Sequence, residues 1–417
     1  MMRWRSRSVS FFALVILVGG CTAAHSGEPS SEQPAAADVV KVSTPDTSPR
    51  PNDPGLDAKL APVVSSAVAL AEIPAAVVFV VTPSGSWAEA YGTRAFAGTD
   101  PVTVDDRFRV GSVTKTMVAT VVLQLVEQGK LSLSDKVSKF YPEFPDGEEI
   151  TIEQLLDMRS GLFSYTEDVS FNETLDDNPG YVWKPAELLA IATSHSPYFE
   201  PGNGFRYSNT NTVLVASIAQ QVTGETLGDL LQERIFEPLG LHETSFPADG
   251  DHTMPVPSPR GYLYGTNVSA LQTVQLPDAQ LQAARTGALF PHDVTELDPS
   301  WIWAAGGVIS TAADLATYAR ALVDGHLLTH EIDRLRIESL GQLDETNPAT
   351  IRYGLGWMSF GPMIGHDGAI PGFQTFMGRE PASGTTIVVF CTMRDSPTGV
   401  RPANEIAKNV FRALHEN

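Results

Sequence analysis

Cysteine and basic residues are both scarce in this chain of 417 residues. The two cysteines, Cys21 and Cys391, cannot build a disulfide framework or a cysteine-rich zinc site. Lysine and arginine number 28 against 49 acidic residues, which gives a formal net charge of −21. Because a protein that binds nucleic acid needs a basic surface for the phosphates, we expect no nucleic-acid partner.

Long apolar runs are also lacking, and the longest lies near the N-terminus. Three arginines within the first seven residues precede Val9–Gly20, a run too short to span a bilayer comfortably as a mature helix. This pattern predicts an export signal over residues 1–20. The four residues VGGC that end at Cys21 resemble a bacterial lipobox, so we expect Cys21 to carry lipid and to anchor the chain on the extracytoplasmic face of the cell membrane. The alternative is an ordinary signal peptide that happens to contain a cysteine.

The composition after the signal predicts two further regions. Residues 21–56 are rich in proline, serine, alanine and aspartate and poor in aromatics, which predicts a disordered tether. Residues 57–417 form one enzyme-sized domain in this interpretation. Within it, Cys391 lies in an apolar segment and is predicted to be a buried strand residue.

Strand patterns stand at both ends of the predicted domain. Ala75–Val81 and Trp87–Gly92 flank a turn and predict a hairpin. Three further strands are predicted near the C-terminus, the last apolar enough to be covered on both faces; they lie at Met363–His366, Gly372–Gly378 and Thr385–Thr392. With helices expected at 57–72 and 402–416 and a mainly helical stretch in between, the pattern predicts an α+β fold: an antiparallel sheet with a helical insert and a cleft between the two.

Ser112 and Lys115 form the first candidate catalytic motif. They begin an apolar helical pattern, so Ser112 lies at a helix N-terminus and Lys115 one turn later on the same face. The lysine can then take the proton of the serine hydroxyl, and the Ser112 N–H can stabilise an oxyanion. An N-cap serine followed by a solvated lysine gives the same pattern.

Tyr207 and Asn209 form the second motif, between a Pro-Gly-Asn-Gly turn and a helix predicted to begin near Val213. Two residues apart, they can both face one cleft. There Tyr207 would relay a proton between Ser112 and a leaving group, and Asn209 would orient Lys115 and a substrate amide. A buried tyrosine beside a turn asparagine is the structural alternative.

His366, Gly368 and Ala369 form the third motif, on a strand predicted to flank the cleft. Glycine in a strand lets a substrate backbone approach and pair with it, and the Ala369 N–H can be a second oxyanion donor. Taken alone, a His-x-Gly sequence is almost uninformative.

Together, the order and spacing of Ser-x-x-Lys, Tyr-x-Asn and His-x-Gly resemble the serine β-lactamase and D-alanyl-D-alanine peptidase superfamily, in particular its class C β-lactamase and secreted DD-carboxypeptidase branch. The resemblance covers nearly all of residues 57–417 and is closer to the carboxypeptidases. It rests on five segments: the hairpin before the nucleophile, RFRVGSVTK with the following LQLVEQGKLSLSDKV, LLDMRSGL, RYSNTN and WAAGGVIST.

The resemblance implies a penicillin-binding-like hydrolase that needs neither cofactor nor metal. Its members act through an acyl-enzyme on a peptidoglycan-derived peptide, another small molecule, a β-lactam or an ester. Carried over to this sequence, the resemblance implies that Ser112 is the nucleophile and that Lys115 and Tyr207 are the proton-transfer pair. It also implies that Asn209 is the orienting amide and that His366 and Gly368 lie on the binding strand. A penicillin-binding-like cell-wall sensor with little turnover is the alternative function.

Asp367 departs from the family pattern. Members that act on C-terminal D-alanine usually have threonine at this place and often an arginine on the preceding strand, to hold the substrate carboxylate. Here an aspartate would repel that carboxylate unless its side chain turns away or His366 is charged. The departure modestly favours an esterase or an amidase for neutral or cationic acyl groups.

His326 and His330 are the remaining candidate metal ligands. They have helical spacing but lack the glutamate position of the zinc-protease motif, so we interpret them as a solvated helix end.

Overall fold

The computed structural model describes residues 52–342 and 351–416. The predicted α+β class is confirmed. The strands are β1 Ala75–Thr82, β2 Gly85–Gly92, β3 Phe108–Arg109, β4 Tyr262–Leu263, β5 His292–Asp293, β6 Ile309–Ser310, β7 Gly341–Gln342, β8 Ile351–Tyr353, β9 Met358–Phe360, β10 Met363–Ile370, β11 Phe373–Arg379 and β12 Thr386–Cys391. The helices are α1 Pro54–Ala71, α2 Thr114–Glu127, α3 Ile152–Leu156, α4 Val169–Asp177, α5 Pro185–Thr193, α6 Asn209–Thr223, α7 Leu227–Leu231, α8 Glu237–Leu239, α9 Asn267–Ala270, α10 Asp278–Arg285, α11 Ala312–Val323, α12 His330–Glu338 and α13 Pro402–His415.

An antiparallel sheet of eight strands joins the two ends of the domain, in the order β2-β1-β12-β11-β10-β9-β8-β7. The predicted N-terminal hairpin is its first pair, and β1 pairs with β12 with Val78 opposite Val389. Because the first and last strands of the chain are neighbours, the helical residues between them form an insert on one side, as predicted.

Both faces of the sheet are covered, which explains why β12 is continuously apolar. Helices α1 and α13 pack together over one face, where Val389 and Cys391 of β12 lie. Helix α11 covers the other face, on which Val388 and Phe390 join the core shared with α2 and α6. All six residues of β12 are buried, and the prediction of Cys391 as a buried strand residue is confirmed.

Three predicted boundaries were wrong. Helix α1 begins at Pro54, inside the predicted tether, because the Asp53 side chain accepts hydrogen bonds from the first backbone amides and proline suits the first turn. Strand β10 continues to Ile370 since its glycines pair with β11 in an unbroken register. Helix α6 begins at Asn209 and not near Val213.

The predicted export signal, Cys21 and most of the predicted tether lie outside the described residues. Within residues 52–342 and 351–416, no helix is both long and apolar enough to cross a membrane.

Candidate active site

The nucleophile turn is a short 3-10 turn, Gly111–Val113, that leads into α2 and carries Ser112. Gly111 has a φ of +56°, a conformation that side chains rarely adopt. The turn lies directly against β10: a Cβ at Gly368 would be 2.0 Å from the Val110 oxygen and 3.1 Å from the Ser112 nitrogen. Only glycine at position 368 permits this approach.

The close approach brings the two predicted oxyanion donors to the same place. A Cβ at Gly111 would lie 3.1 Å from the Ala369 nitrogen, so the amide of Ala369 borders the turn that contains Ser112. Two backbone N–H groups beside a serine hydroxyl are the arrangement that stabilises the tetrahedral intermediate of acyl transfer.

Lys115 is almost completely buried, with 1% of its surface exposed. Its Nζ donates hydrogen bonds to the Ser112 Oγ at 3.1 Å, to the Asn209 Oδ1 at 2.7 Å and to the Ala305 carbonyl at 2.7 Å. Burial lowers the pKa of Lys115 well below its ordinary value, against a smaller opposing effect of Asp367. A buried amine with a lowered pKa, in contact with a serine hydroxyl, can act as a general base.

Asn209 holds Lys115 from the insert side. Its backbone N–H donates to the Ser164 Oγ at 3.1 Å and its side-chain amide donates to the Thr166 Oγ1 at 2.9 Å. These contacts fix the amide so that its oxygen points at Lys115. Asn209 thus contacts Lys115 directly, and its role in orienting a substrate amide stays a prediction.

Tyr207 lies beside Lys115, with the lysine Nζ 5.0 Å from the centre of its ring. The buried hydroxyl of Tyr207 makes no hydrogen bond to any described residue. Burial raises the pKa of Tyr207, and the neighbouring Ser112 side chain opposes this. The group is therefore a neutral phenol at physiological pH and a potential proton donor.

His366 packs against Tyr207, with ring centres 6.1 Å apart. Its Nδ1 contacts the Asp367 carbonyl, which can only accept, so Nδ1 carries the ring proton and Nε2 is an acceptor. Burial lowers the pKa of His366 to about 4, although Asp367 opposes this. His366 is therefore neutral at physiological pH, and a charged imidazole does not offset Asp367.

Asp367 is turned away from Ser112. It lies opposite Phe376 in the sheet, on the face covered by α13. There its Oδ2 accepts a hydrogen bond from the Asn404 side chain at 2.9 Å and lies 3.7 Å from the Arg401 guanidinium. Two conditions would relieve the repulsion of an anionic substrate, an Asp367 side chain that turns away or a charged His366. The structure meets the first of them.

Among the described strands, none pairs with the edge of β10 next to the nucleophile. Strand β9 pairs with β10 only over Met363–Gly365, which leaves the His366–Ile370 edge without a neighbour from β9. A free strand edge can pair with an extended substrate backbone. The structure thus brings the predicted residues of all three motifs to one cleft, with Asp367 at its rim.

Sequence reasoning missed four groups at this site. The Ala305 carbonyl holds Lys115. Tyr353 is buried, its hydroxyl has no partner among the described residues, and its ring lies 5.9 Å from both Tyr207 and His366. Arg401 and Asn404 hold Asp367. None belongs to a recognisable short motif, although the WAAGG segment could have directed attention to Ala305.

The histidine pair considered as a metal site lies elsewhere. His326 and His330 are exposed, and His330 begins α12. In the part of the chain that the structure describes, no three His, Cys, Asp or Glu residues are grouped to hold a metal ion.

Comparison with known proteins gives a consistent family. Residues 60–410 match the family described as Beta-lactamase. A D-stereospecific amidohydrolase from Streptomyces sp. is 32% identical, with a TM-score of 0.72 over 86% of this chain and 98% of that protein. The D-amino acid amidase of Ochrobactrum anthropi SV3 is similar in fold, with a TM-score of 0.73, 24% identity, and coverage of 87% of this chain and all of that one.

Curated relatives are matched over part of their length. Penicillin-binding protein 4* of Bacillus subtilis is 29% identical over 67% of this chain, and the match spans only 59% of that protein. Esterase EstB of Burkholderia gladioli is 31% identical, over 44% of this chain and 50% of the esterase.

Proposed function

Because the chain belongs to the β-lactamase family, whose members here include an amidohydrolase, an esterase and penicillin-binding proteins, we propose that it hydrolyses an amide or ester through an acyl-enzyme on Ser112. One observation carries the proposal: the buried Lys115 amine lies 3.1 Å from the Ser112 Oγ. If Lys115 were buried for packing alone, its amine would not have to lie within hydrogen-bonding distance of the Ser112 hydroxyl. Its lowered pKa supports a role as general base.

Acylation follows from the protonation states of the site. Burial lowers the pKa of Lys115, so the amine can be deprotonated; in that form it takes the Ser112 proton as the Oγ attacks the substrate carbonyl. The resulting oxyanion accepts hydrogen bonds from the N–H groups of Ser112 and Ala369. Tyr207 then gives its phenolic proton to the leaving nitrogen or oxygen as the scissile bond breaks, and protonated Lys115 returns a proton to Tyr207.

Deacylation reverses the proton path. A water attacks the ester carbon of the acyl-enzyme, and its proton passes to Lys115 by way of Tyr207. The second tetrahedral intermediate collapses, the acid product leaves, and Lys115 restores the proton of Ser112. Ser112, Lys115 and Tyr207 thus return to their starting protonation states, and water is the only reactant consumed besides the substrate.

The charge of the cleft favours a neutral substrate. His366 is neutral, Lys115 has a lowered pKa, and the Asp367 carboxylate is partly balanced by Arg401. Among the described groups of this site, none therefore offers an unpaired positive charge that would select a carboxylate. We assign a neutral amide or ester of a D-configured acyl group as substrate, in line with the relatives named as a D-stereospecific amidohydrolase and a D-aminopeptidase.

Parallel assays test this assignment. An N-acetyl-D-alanine p-nitroanilide, a D-Ala-D-Ala peptide, a chromogenic cephalosporin and a p-nitrophenyl ester are offered to the natural protein and to Ser112→Ala. We expect the neutral amide and ester to be hydrolysed faster than the peptide and the cephalosporin, and the variant to be inactive. Preference for either carboxylate-bearing substrate would contradict the substrate class, and full turnover by Ser112→Ala would contradict the mechanism.

Asp367→Thr separates the local electrostatics from the mechanism. Since Asp367 faces α13, we expect the change to alter the preference between carboxylate-bearing and neutral substrates by less than about tenfold, which is the effect of 1.4 kcal/mol. A larger gain for the carboxylate would show that Asp367 acts in the cleft.

The relatives named as penicillin-binding proteins favour one alternative, a cell-wall sensor that is acylated and turns over little. Deacylation distinguishes the two functions. After acylation by the same simple ester, a sensor stays acylated for hours, whereas an enzyme releases the acyl group during the assay. The assembled Lys115 and Tyr207 favour the enzyme.

We propose an extracytoplasmic location on the basis of the export signal and lipobox pattern that ends at Cys21. Lipidation predicts that the natural protein fractionates with membranes and that Cys21→Ser releases it in soluble form. Equal fractionation of the two proteins would contradict the anchor.

A further inference from the structure

The position of Tyr207 sets the direction in which a leaving group departs from Ser112. A proton donor must reach the leaving atom, and Tyr207 packs against His366, on the N-terminal side of the Ala369 amide along β10. The leaving group therefore extends toward His366 and Asp367. The acyl group extends the other way, toward Ile370.

A leaving group longer than one residue cannot continue along the edge of β10. Strand β9 occupies that edge at Met363–Gly365. The group must turn out of the plane of the sheet at about the position of Asp367. On the α13 face, the side chains that it meets there are Asp367 and the two residues that hold it, Asn404 and Arg401.

A cavity of about 350 Å³ shares Asn404 with this point. Three phenylalanines, a methionine, an alanine and one amide form most of its wall: Phe360, Met363, Phe376, Asn404, Ala407 and Phe411. Asn404 thus connects the cavity to Asp367, and Phe376 is the residue opposite Asp367 in the sheet. Ligand pockets generally have volumes of about 300–1,000 Å³ and apolar, aromatic walls, so this one is large enough for a small organic group.

The charges around the cavity favour an uncharged occupant. Two charged side chains also line it, Glu405 and Lys408, which are half-exposed and form an ion pair at 3.5 Å. They leave no net charge to attract an ionic group. The distance also limits the occupant: Asp367 is two positions from Ala369 along the strand, or about 7 Å.

We propose that this cavity is a leaving-group subsite that binds an aromatic or branched apolar group, carried about two residues beyond the scissile bond. The inference rests on the proposed function, because it takes the leaving-group direction from Tyr207 as proton donor. It assigns to the enzyme substrates with a neutral, apolar leaving amine or alcohol.

The test measures how leaving amines inhibit turnover of p-nitrophenyl acetate. Glycine phenethylamide and glycine methylamide share the nitrogen that would leave and differ in the apolar end. In the natural protein we expect the phenethylamide to have an inhibition constant at least about tenfold lower, since burial of a phenyl ring is worth about that factor or more.

Two variants locate the effect. Phe411→Ala removes one aromatic wall, and we expect it to reduce the preference to about threefold or less, as the ring loses part of its apolar surroundings. Leu414→Ala is the matched control, because Leu414 lies on α13 but packs in the α1 and α13 core and not in the cavity wall. It should leave the preference unchanged. If Phe411→Ala fails to fold, Phe360→Ala removes the wall on β9 instead.

The outcomes separate this inference from the proposed function. If the ester is not hydrolysed and Ser112 gains no acyl mass, the proposed function is wrong and the inference with it. If the ester is hydrolysed but the two amines inhibit equally, only the subsite is wrong. The same holds if the preference survives in both Phe411→Ala and Phe360→Ala.

Discussion

Replacing Gly368 by alanine tests whether the contact between β10 and the nucleophile turn sets the activity. The new Cβ would lie 2.0 Å from the Val110 oxygen. Real Cβ atoms stay at about 3 Å or more from backbone oxygens, so the strand and the turn must separate by about 1 Å. That movement separates the Ser112 and Ala369 amides, which the proposed mechanism needs at one oxyanion.

The expected loss can be estimated from this displacement. A misplacement of about 1 Å at a reacting centre costs on the order of 100-fold in rate. The strain should also cost about 1–3 kcal/mol of unfolding free energy. The assay is kcat/KM for p-nitrophenyl acetate, measured together with the thermal midpoint of each protein.

Gly365→Ala is the matched control on the same strand. Its Cβ would also lie 2.0 Å from a backbone oxygen, that of Met377 in β11, but away from Ser112. We expect a similar loss of stability with a much smaller loss of rate. Equal rate losses in the two folded variants, or full activity of Gly368→Ala, would refute the reasoning.

Three other predictions concern buried titratable groups. Lys115→Arg keeps a long basic side chain, but a guanidinium that cannot lose its proton, so we expect the acylation rate to fall by about 100-fold or more at neutral pH, in stopped-flow acylation. Burial holds the pKa of His366 at about 4, below its ordinary 6.5. Between these two pH values the unfolded chain binds a proton at this residue and the folded protein does not, so the free energy of unfolding decreases as the pH falls from 6.5 to 4. In denaturant titrations, His366→Gln should therefore lose less stability over this pH range than the natural protein. Burial raises the pKa of Asp157 from 3.8 to about 7, and Arg159 opposes this shift. The free energy of unfolding therefore decreases as the pH rises from about 4 to about 7. Asp157→Asn should be more stable than the natural protein at pH 8, by up to about 4 kcal/mol, but not at pH 4. Unchanged rates for the first, or unchanged pH curves for the others, would contradict these assignments.

The fold was largely predictable because its signals are local. The apolar run of β12 and the hairpin of β1 and β2 predict strands without reference to the rest of the chain. The sheet order is a different matter. Which strand neighbours which depends on tertiary packing, so no local pattern indicated that β9 would close part of the β10 edge.

The site was predictable where a short spacing reflects a short distance. Ser112 and Lys115 are one turn apart, and a helix alone brings them together. The contacts of Asp367 could not be predicted in this way. Its partners lie more than thirty residues later in the chain, Arg401 immediately before α13 and Asn404 in its first turn. Only the packing of α13 on the sheet brings them to the carboxylate.

The acyl-enzyme on Ser112 is tested most directly by mass spectrometry of the intact protein, acid-quenched during turnover of p-nitrophenyl acetate and after incubation with a penicillin. The account predicts an added acyl mass on the peptide that contains Ser112, and neither adduct nor turnover in Ser112→Ala. Turnover that persists in Ser112→Ala, or an acyl group found on another residue, would contradict it.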